Sequence, residues 1–247
     1  MRDVREIAEK KPHLKEVLAL YEKVVEFRRL TADVTVTQGS LAYPPGATDV
    51  IFRSFLTVFT MPESILDPLK EAMKLGHIDL TRLPLNEVPA FSLPYHQDEL
   101  SAILFLISKP YFLQLGGSGA VRDAFWEHGK CPVCTAAPSL SFIKQDEGRL
   151  LCCSYCENRG KWHRIGCPHC RSRDTDNLGI IEAEEEKGFR IDFCNRCKSY
   201  IKTINYPLLD DYSPELLDII SLPLDILAQG RGYKRLSPNP VGMMKMT

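Results

Sequence analysis

Apolar residues recur at helical spacing through the first part of the chain. Leu14, Val17, Leu18, Tyr21, Val24 and Val25 are separated by Glu and Lys, which predicts a helix from Pro12 to about Leu30. The segment Asp49 to Thr60 is apolar nearly all round, with Val50, Ile51, Phe52, Phe55, Leu56, Val58 and Phe59, as a buried helix would be. Pro62 opens another helical stretch, with Ile65, Leu66, Leu69 and Met73 on one face and Gly76 as its stop. Pro84, Pro89 and Pro94 then predict an irregular linker. Asp98 is placed to cap a helix from Glu99 to Ser108, with Pro110 starting the next segment. Gly116-Gly117-Ser118-Gly119 reads as a turn, and Ala120 to Glu127 as a short helix.

Beyond Cys131 the period changes. Short β-type stretches are predicted at Ser139 to Lys144, Arg149 to Cys153, Leu178 to Glu182, Phe189 to Phe193 and Tyr200 to Asn205. After Pro207, Leu216, Leu217, Ile219, Ile220, Leu224, Ile226 and Leu227 are spaced to pack on a core, interrupted by Pro223. The fold class expected is multidomain α+β. It comprises a helical domain (1–127), two metal modules (128–164 and 165–206) and a helical tail (207–247) that folds back on the core.

Composition narrows the function. Lys plus Arg is 31 against 32 for Asp plus Glu, a formal net charge of -1, so nothing pulls the whole molecule towards nucleic acid or an anionic membrane. The charged start, Met1 to Lys11, lacks the apolar core of a secretory signal, and the apolar run Leu100 to Ile107 is far short of the roughly 20 residues that span a bilayer. These features predict a cytoplasmic protein without membrane insertion.

All nine cysteines lie between Cys131 and Cys197. A reducing compartment disfavours structural disulfides, so paired cysteines there point to metal. The pairs are Cys131-Pro-Val-Cys134, Cys153-Ser-Tyr-Cys156, Cys167-Pro-His-Cys170 and Cys194-Asn-Arg-Cys197, separated by 18, 10 and 23 residues. The spacing predicts a duplicated unit of knuckle, hairpin and knuckle. Each unit closes one four-sulfur site: Cys131, Cys134, Cys153 and Cys156 in site 1, and Cys167, Cys170, Cys194 and Cys197 in site 2. Four thiolates in a tetrahedron suit zinc or iron. Thioredoxin-type dithiol chemistry needs the motif to follow a strand and open a long helix, which none of the four clearly does.

Thr135, Glu157, Arg171 and Lys198 follow the knuckles where glycine is common, which predicts less regular turns. Cys152 is expected to be a small apolar strand residue facing away from the site, with an accessible redox or tethering thiol as the alternative. His163 and His169 read as solvated or loosely bonded, and Trp162 as a packing residue between modules. Arg159, Lys161, Arg164, Arg171 and Arg173 form a basic cluster that is solvated by default. Glu182 to Glu186 reads as a hairpin rim. No nucleophile motif, phosphate loop or paired catalytic carboxylates are found, so no enzyme activity is expected.

The string from Cys131 onward resembles the formate dehydrogenase accessory protein family, FdhE. The matching parts are Trp126 before the first pair, the four pairs themselves, and Trp162-His-Arg before Cys167. The run Cys194-Asn-Arg-Cys197-Lys-Ser-Tyr-Ile-Lys and, in the tail, Leu224-Asp225, Gly232-Tyr233-Lys-Arg235 and Asn239-Pro240 complete them. Lys109-Pro110-Tyr111-Phe112 is compatible. The resemblance implies an all-helical N-terminal domain followed by two tandem rubredoxin-like modules, usually associated with iron. It also implies a cytoplasmic protein that binds the catalytic subunit of formate dehydrogenase during maturation and has no part in turnover. A zinc-ribbon nucleic-acid binder and a rubredoxin-like electron carrier are the alternative classes.

Overall fold

The structure is a computed structural model, and it describes residues 4–34, 46–83, 93–117, 124–144 and 148–246. Among the described residues, five α-helices form the first half: α1 (Val4–Lys10), α2 (Lys15–Leu30), α3 (Ala47–Phe59), α4 (Asp67–Lys74) and α5 (Gln97–Gly117). α2 turns Leu18, Tyr21, Val24 and Phe27 inward, where Phe27 meets Phe55 of α3 edge-on at 5.8 Å. Helix α1, a short charged turn with only Ile7 buried, is not foreshadowed by the apolar pattern.

α5 differs from expectation. It runs straight through Pro110 to Gly117, where a stop was expected at Ser108, so Gly116 and Gly117 close a helix rather than make a turn. An interior proline costs roughly 3 kcal/mol of helix stability. Every residue from Ile103 to Phe112 is buried, and that apolar burial outweighs the missing hydrogen bond. By length and composition α5 could cross a membrane, but 67% of its most apolar stretch is buried inside the protein, as the core helix of a folded domain would be. Of the linker expected around three prolines, only Pro94 is described, in a bend, while Pro84 and Pro89 lie outside the described residues. The helix expected at Ala120 to Glu127 lies partly outside them too. Its described end is extended: Phe125 bridges Lys161, and the Trp126 N–H donates to the Lys161 carbonyl at 3.0 Å.

The second half is one six-stranded sheet of order β3-β2-β1-β6-β5-β4, from β1 (Pro138–Lys144), β2 (Gly148–Cys153), β3 (Arg159–Trp162), β4 (Leu178–Ile181), β5 (Phe189–Cys194) and β6 (Ser199–Asn205). Each knuckle-bearing unit supplies three antiparallel strands. The units join through a parallel pairing of β1 with β6, Leu140 opposite Lys202 to Ile143 opposite Asn205. β3 is too short, and too rich in charge, to stand out in the sequence. The tail forms α6 (Pro214–Ile220) and α7 (Leu222–Gly230), with Pro223 tolerated in the first turn of α7. One apolar core runs from Ile7 of α1 through α5 and the sheet to Leu222.

The tail is sewn to β6 by buried charges. Lys202 Nζ lies 2.5 Å from carboxylate oxygens of both Asp218 and Asp225. The Arg235 guanidinium meets the same two aspartates at 2.5 and 3.0 Å, and the Tyr200 hydroxyl donates to Asp225 at 2.7 Å. Burial alone would raise the Asp218 carboxyl, but Arg235 and Lys202 hold it below its ordinary value.

Candidate metal centres

Each four-cysteine group is assembled from one knuckle ahead of a hairpin and one at its far end. Cys153 closes β2 and Cys194 closes β5. The first three knuckles share one backbone pattern. The N–H groups of Thr135, Glu157 and Arg171 donate to the carbonyls of Cys131, Cys153 and Cys167 at 2.8, 3.1 and 2.8 Å. The first cysteine's N–H donates to the residue five ahead, Ala136, Asn158 or Ser172, at 2.9, 3.1 and 2.8 Å.

The turns are regular, contrary to what the missing glycines predicted. Thr135, Glu157, Arg171 and Lys198 all take positive φ, from 54° to 63°. The left-handed conformation costs a side-chain-bearing residue roughly 1–2 kcal/mol, which the shared hydrogen bonds and sulfur geometry offset. Exposed Arg171 offers a clean test. Arg171→Gly relieves that strain, gives back about 0.5–1 kcal/mol in chain entropy, and should raise stability by about 0.5–1 kcal/mol in a denaturant melt of metal-loaded protein. An unchanged midpoint would mean that the turn carries no strain.

The structure brings the eight predicted cysteines together as two groups, and within each all sulfurs lie within 4.8 Å of one another. In site 1 the Sγ–Sγ separations are 3.4 Å for Cys131 to Cys156, 3.4 Å for Cys134 to Cys153 and 3.6 Å for Cys134 to Cys156. In site 2 they are 3.7 Å for Cys167 to Cys197 and 3.7 Å for Cys170 to Cys194. A tetrahedron with metal–sulfur bonds of about 2.3 Å has edges of about 3.8 Å, whereas a disulfide needs about 2.05 Å. The sulfurs are therefore spaced for a shared ion, and all nine cysteines are free of disulfides. Both groups can hold a metal ion.

The two sites differ in exposure. All four sulfur residues of site 1 are buried, while Cys170 and Cys197 of site 2 are half-exposed. Burial pushes the Cys153 and Cys167 thiols up, a penalty that a bound cation would reverse. Burial opposes ionisation of Cys197 too, but the Ser199 hydroxyl at 3.0 Å brings it below the ordinary thiol value. Cys152 is buried and turned away from site 1, and its thiol is pushed up by burial, so the strand-residue reading holds.

α5 clamps the second knuckle of site 1. Phe105, Lys109, Phe112 and Gly116 lie on one helical face. Tyr155 of the knuckle is wedged edge-on between Phe105 and Phe112, at 4.9 and 5.3 Å. Lys109, 2% exposed, donates to the Ser154 carbonyl and lies 2.9 Å from Glu215 and 3.5 Å from Glu157. Arg28 of α2 completes the cluster by pairing with both glutamates. Burial lowers the Lys109 pKa, and the two glutamates more than restore it. Of these neighbouring carboxyls, the more deeply buried Glu215 is pushed up by burial and Glu157 is held down by the cations. Sequence reasoning missed this cluster. The available signal was a lysine alone in the buried middle of an apolar run.

A methyl on Gly116 would overlap the backbone carbonyl of Cys156. Gly116→Ala should therefore push α5 off the knuckle and cost about 1–3 kcal/mol, read as a lower unfolding midpoint and faster metal loss to a chelator. Unchanged metal retention would uncouple the helix from the site.

Other candidate residues also find their places. His169 Nε2 lies 3.3 Å from the Tyr200 carbonyl, the loose bonding expected of it, and burial lowers its pKa to about 4. His163 contacts Phe125, Trp162 and Arg173 near the surface. Trp162 is buried and stacks on Phe125 at 5.7 Å. Within the acidic rim, Glu186 is buried and accepts from Lys11 at 2.6 Å, joining the sheet to the helical half.

Residues 165–241 match the family described as FdhE, C-terminal domain. Over that segment the chain is similar to the FdhE family. Among its relatives, a protein named "Protein FdhE homolog" from Aquifex aeolicus is 35% identical over 144 residues, 56% of this chain and 51% of that protein. FdhE homologs from Stutzerimonas stutzeri and Haemophilus ducreyi are 29% and 33% identical, over 80% and 72% of this chain and 70% and 59% of their own lengths. The chain thus spans about half of the Aquifex relative. The crystal structure of the FdhE protein from Pseudomonas aeruginosa superposes with a TM-score of 0.67 at 22% identity, covering 96% of this chain and 92% of that one. The helical first half, the sheet carrying two four-cysteine groups and the helical end are therefore an FdhE fold.

Proposed function

We propose that this chain is an accessory protein for the maturation of formate dehydrogenase, acting in the cytoplasm as a non-catalytic scaffold that binds the enzyme's catalytic subunit. Cys131, Cys134, Cys153 and Cys156 hold one ion, and Cys167, Cys170, Cys194 and Cys197 hold the second, each iron or zinc. The reading is carried by the joining of the site 1 knuckle to α5 through Tyr155 and Lys109. Metal at site 1 thereby orders a surface built from both halves of the molecule. Similarity to proteins named FdhE homologs supports the link to formate dehydrogenase.

Affinity capture from cells making formate dehydrogenase should recover its catalytic subunit, and deletion of the gene should abolish formate dehydrogenase activity. No capture together with normal activity would reject the reading. The half-exposed sulfurs of site 2 favour electron exchange as an additional role. Protein purified without air should then contain about two irons per chain and show a reversible one-electron transition, whereas a colourless, zinc-filled protein would remove that role.

A further inference from the structure

A cavity of about 360 Å³ opens beside site 2, between the Cys167 knuckle and strand β4. That volume lies within the range of roughly 300–1,000 Å³ typical of ligand sites. Its walls are largely apolar, with Leu178 and Phe193 inside and Ile165 and Ile180 at the mouth, 60% and 55% exposed. Three guanidinium groups, those of Arg149, Arg164 and Arg190, line it against the single carboxylate of Asp192. Asp192 is engaged by Arg149 at 3.0 Å and Arg190 at 2.9 Å, and exposed Arg164 has no acidic partner among the described residues. Cys167 and Cys194 of site 2 also line the cavity, and a tetrathiolate centre is itself anionic, so the uncompensated positive charge is that of exposed Arg164, beside an apolar floor.

The sheet edges add a second observation. At one end, β3 is covered by residues 124–126 through the Phe125 bridge. At the other, no described residue bonds to the outer edge of β4, and β4 is itself part of the cavity wall. An open strand edge is a template for another strand. The need is for an occupant that is extended, anionic and carries an apolar side chain.

We propose that the cavity and the free edge of β4 form a docking groove for an extended acidic polypeptide segment of a partner protein. The segment adds as a strand beside β4, seats an apolar side chain in the cavity, and pairs its carboxylates with Arg164 and Arg190. This deepens the scaffold role proposed above and rests on that reading only for the partner's identity.

The test titrates the full, metal-loaded chain with dye-labelled, capped Glu-Phe-Glu-Ile-Glu and, separately, Lys-Phe-Lys-Ile-Lys, following fluorescence anisotropy. The acidic peptide should bind saturably and weaken as salt rises, and the basic one should not bind. Arg164→Glu and Ile180→Asp, both at exposed positions, should each weaken binding by about tenfold or more, with circular dichroism and metal content unchanged. Arg53→Glu, on α3, should leave binding intact. Equal binding of the two peptides, or undiminished binding by both variants, would overturn the proposal. So would complete displacement by millimolar phosphate with Ile180→Asp unaffected, which assigns the site to a small anion. Capture of the catalytic subunit separates the two readings. If the Arg164→Glu/Ile180→Asp double variant loses the peptide but keeps the subunit, the groove proposal falls and the accessory role stands. If the unaltered protein binds peptide but never the subunit, the accessory role falls and the groove stands.

Discussion

Removing both metal ions is expected to unfold the sheet-bearing half of the protein. Tetrathiolate ligation supplies roughly 10–16 kcal/mol of apparent folding free energy per zinc ion, against a total stability of roughly 5–15 kcal/mol for an ordinary domain. Each three-stranded unit is too small to persist on apolar burial alone. Four buried thiols around an empty centre would also have to stay protonated and pack against one another. Dialysis against a strong chelator under reducing conditions should therefore abolish the β-sheet signal in circular dichroism. A ligand substitution should act unequally at the two sites. Cys153→Ser removes a fully buried ligand under α5 and should reduce helical as well as sheet signal, whereas Cys170→Ser, in the half-exposed site, should act mainly on β4 to β6. Sheet content that survives verified metal loss would mean that the sulfur groups are not structural.

Replacing Lys109 by Met should cost about 3–5 kcal/mol, because it leaves Glu215 and Glu157 facing a buried site with one cation fewer. Arg28 remains and still pairs with both, so the loss falls short of stripping the cluster entirely. The variant also orphans the Ser154 carbonyl inside the site 1 knuckle, so metal should leave site 1 faster than site 2. Denaturant midpoints and chelator-competition rates measure the two effects. The sign with pH follows from the direction of the shift. The Lys109 pKa lies above its ordinary value of 10.5, so its contribution is complete below that value and fades as pH rises through the folded-state pKa. A midpoint within about 0.5 kcal/mol of the unaltered protein would show that the cluster is neutral in energy.

Much of this architecture is visible in the residue order. Helical spacing marked α2, α3 and α4, and five of the six strands lay within a residue or two of their predicted ends, because local periodicity reports which face is buried. The cysteine spacing identified both groups of four, since a knuckle fixes two sulfurs within four residues. Features decided by distant contacts were not visible. α5 continues through Pro110 because the surrounding core outweighs a local rule, and β3 exists because β2 and Phe125 flank it. The positive φ values after each knuckle contradict residue preference and follow from the sulfur geometry. Nothing local marks Lys202 and Asp225 as a buried pair, because Arg235, ten residues beyond Asp225, is needed to complete the set.

The parallel seam between β1 and β6 sets an order of assembly. Ser141 and Thr203, which share a hydrogen bond across it, are 62 positions apart, and every other pairing in the sheet is nearer in sequence. On a growing chain all eight clustered cysteines have emerged before β6 can close the central join, and α6 and α7 follow it. An interruption in synthesis before residue 199 would leave a half-sheet with β1 uncovered, a species that the cell must either finish or destroy.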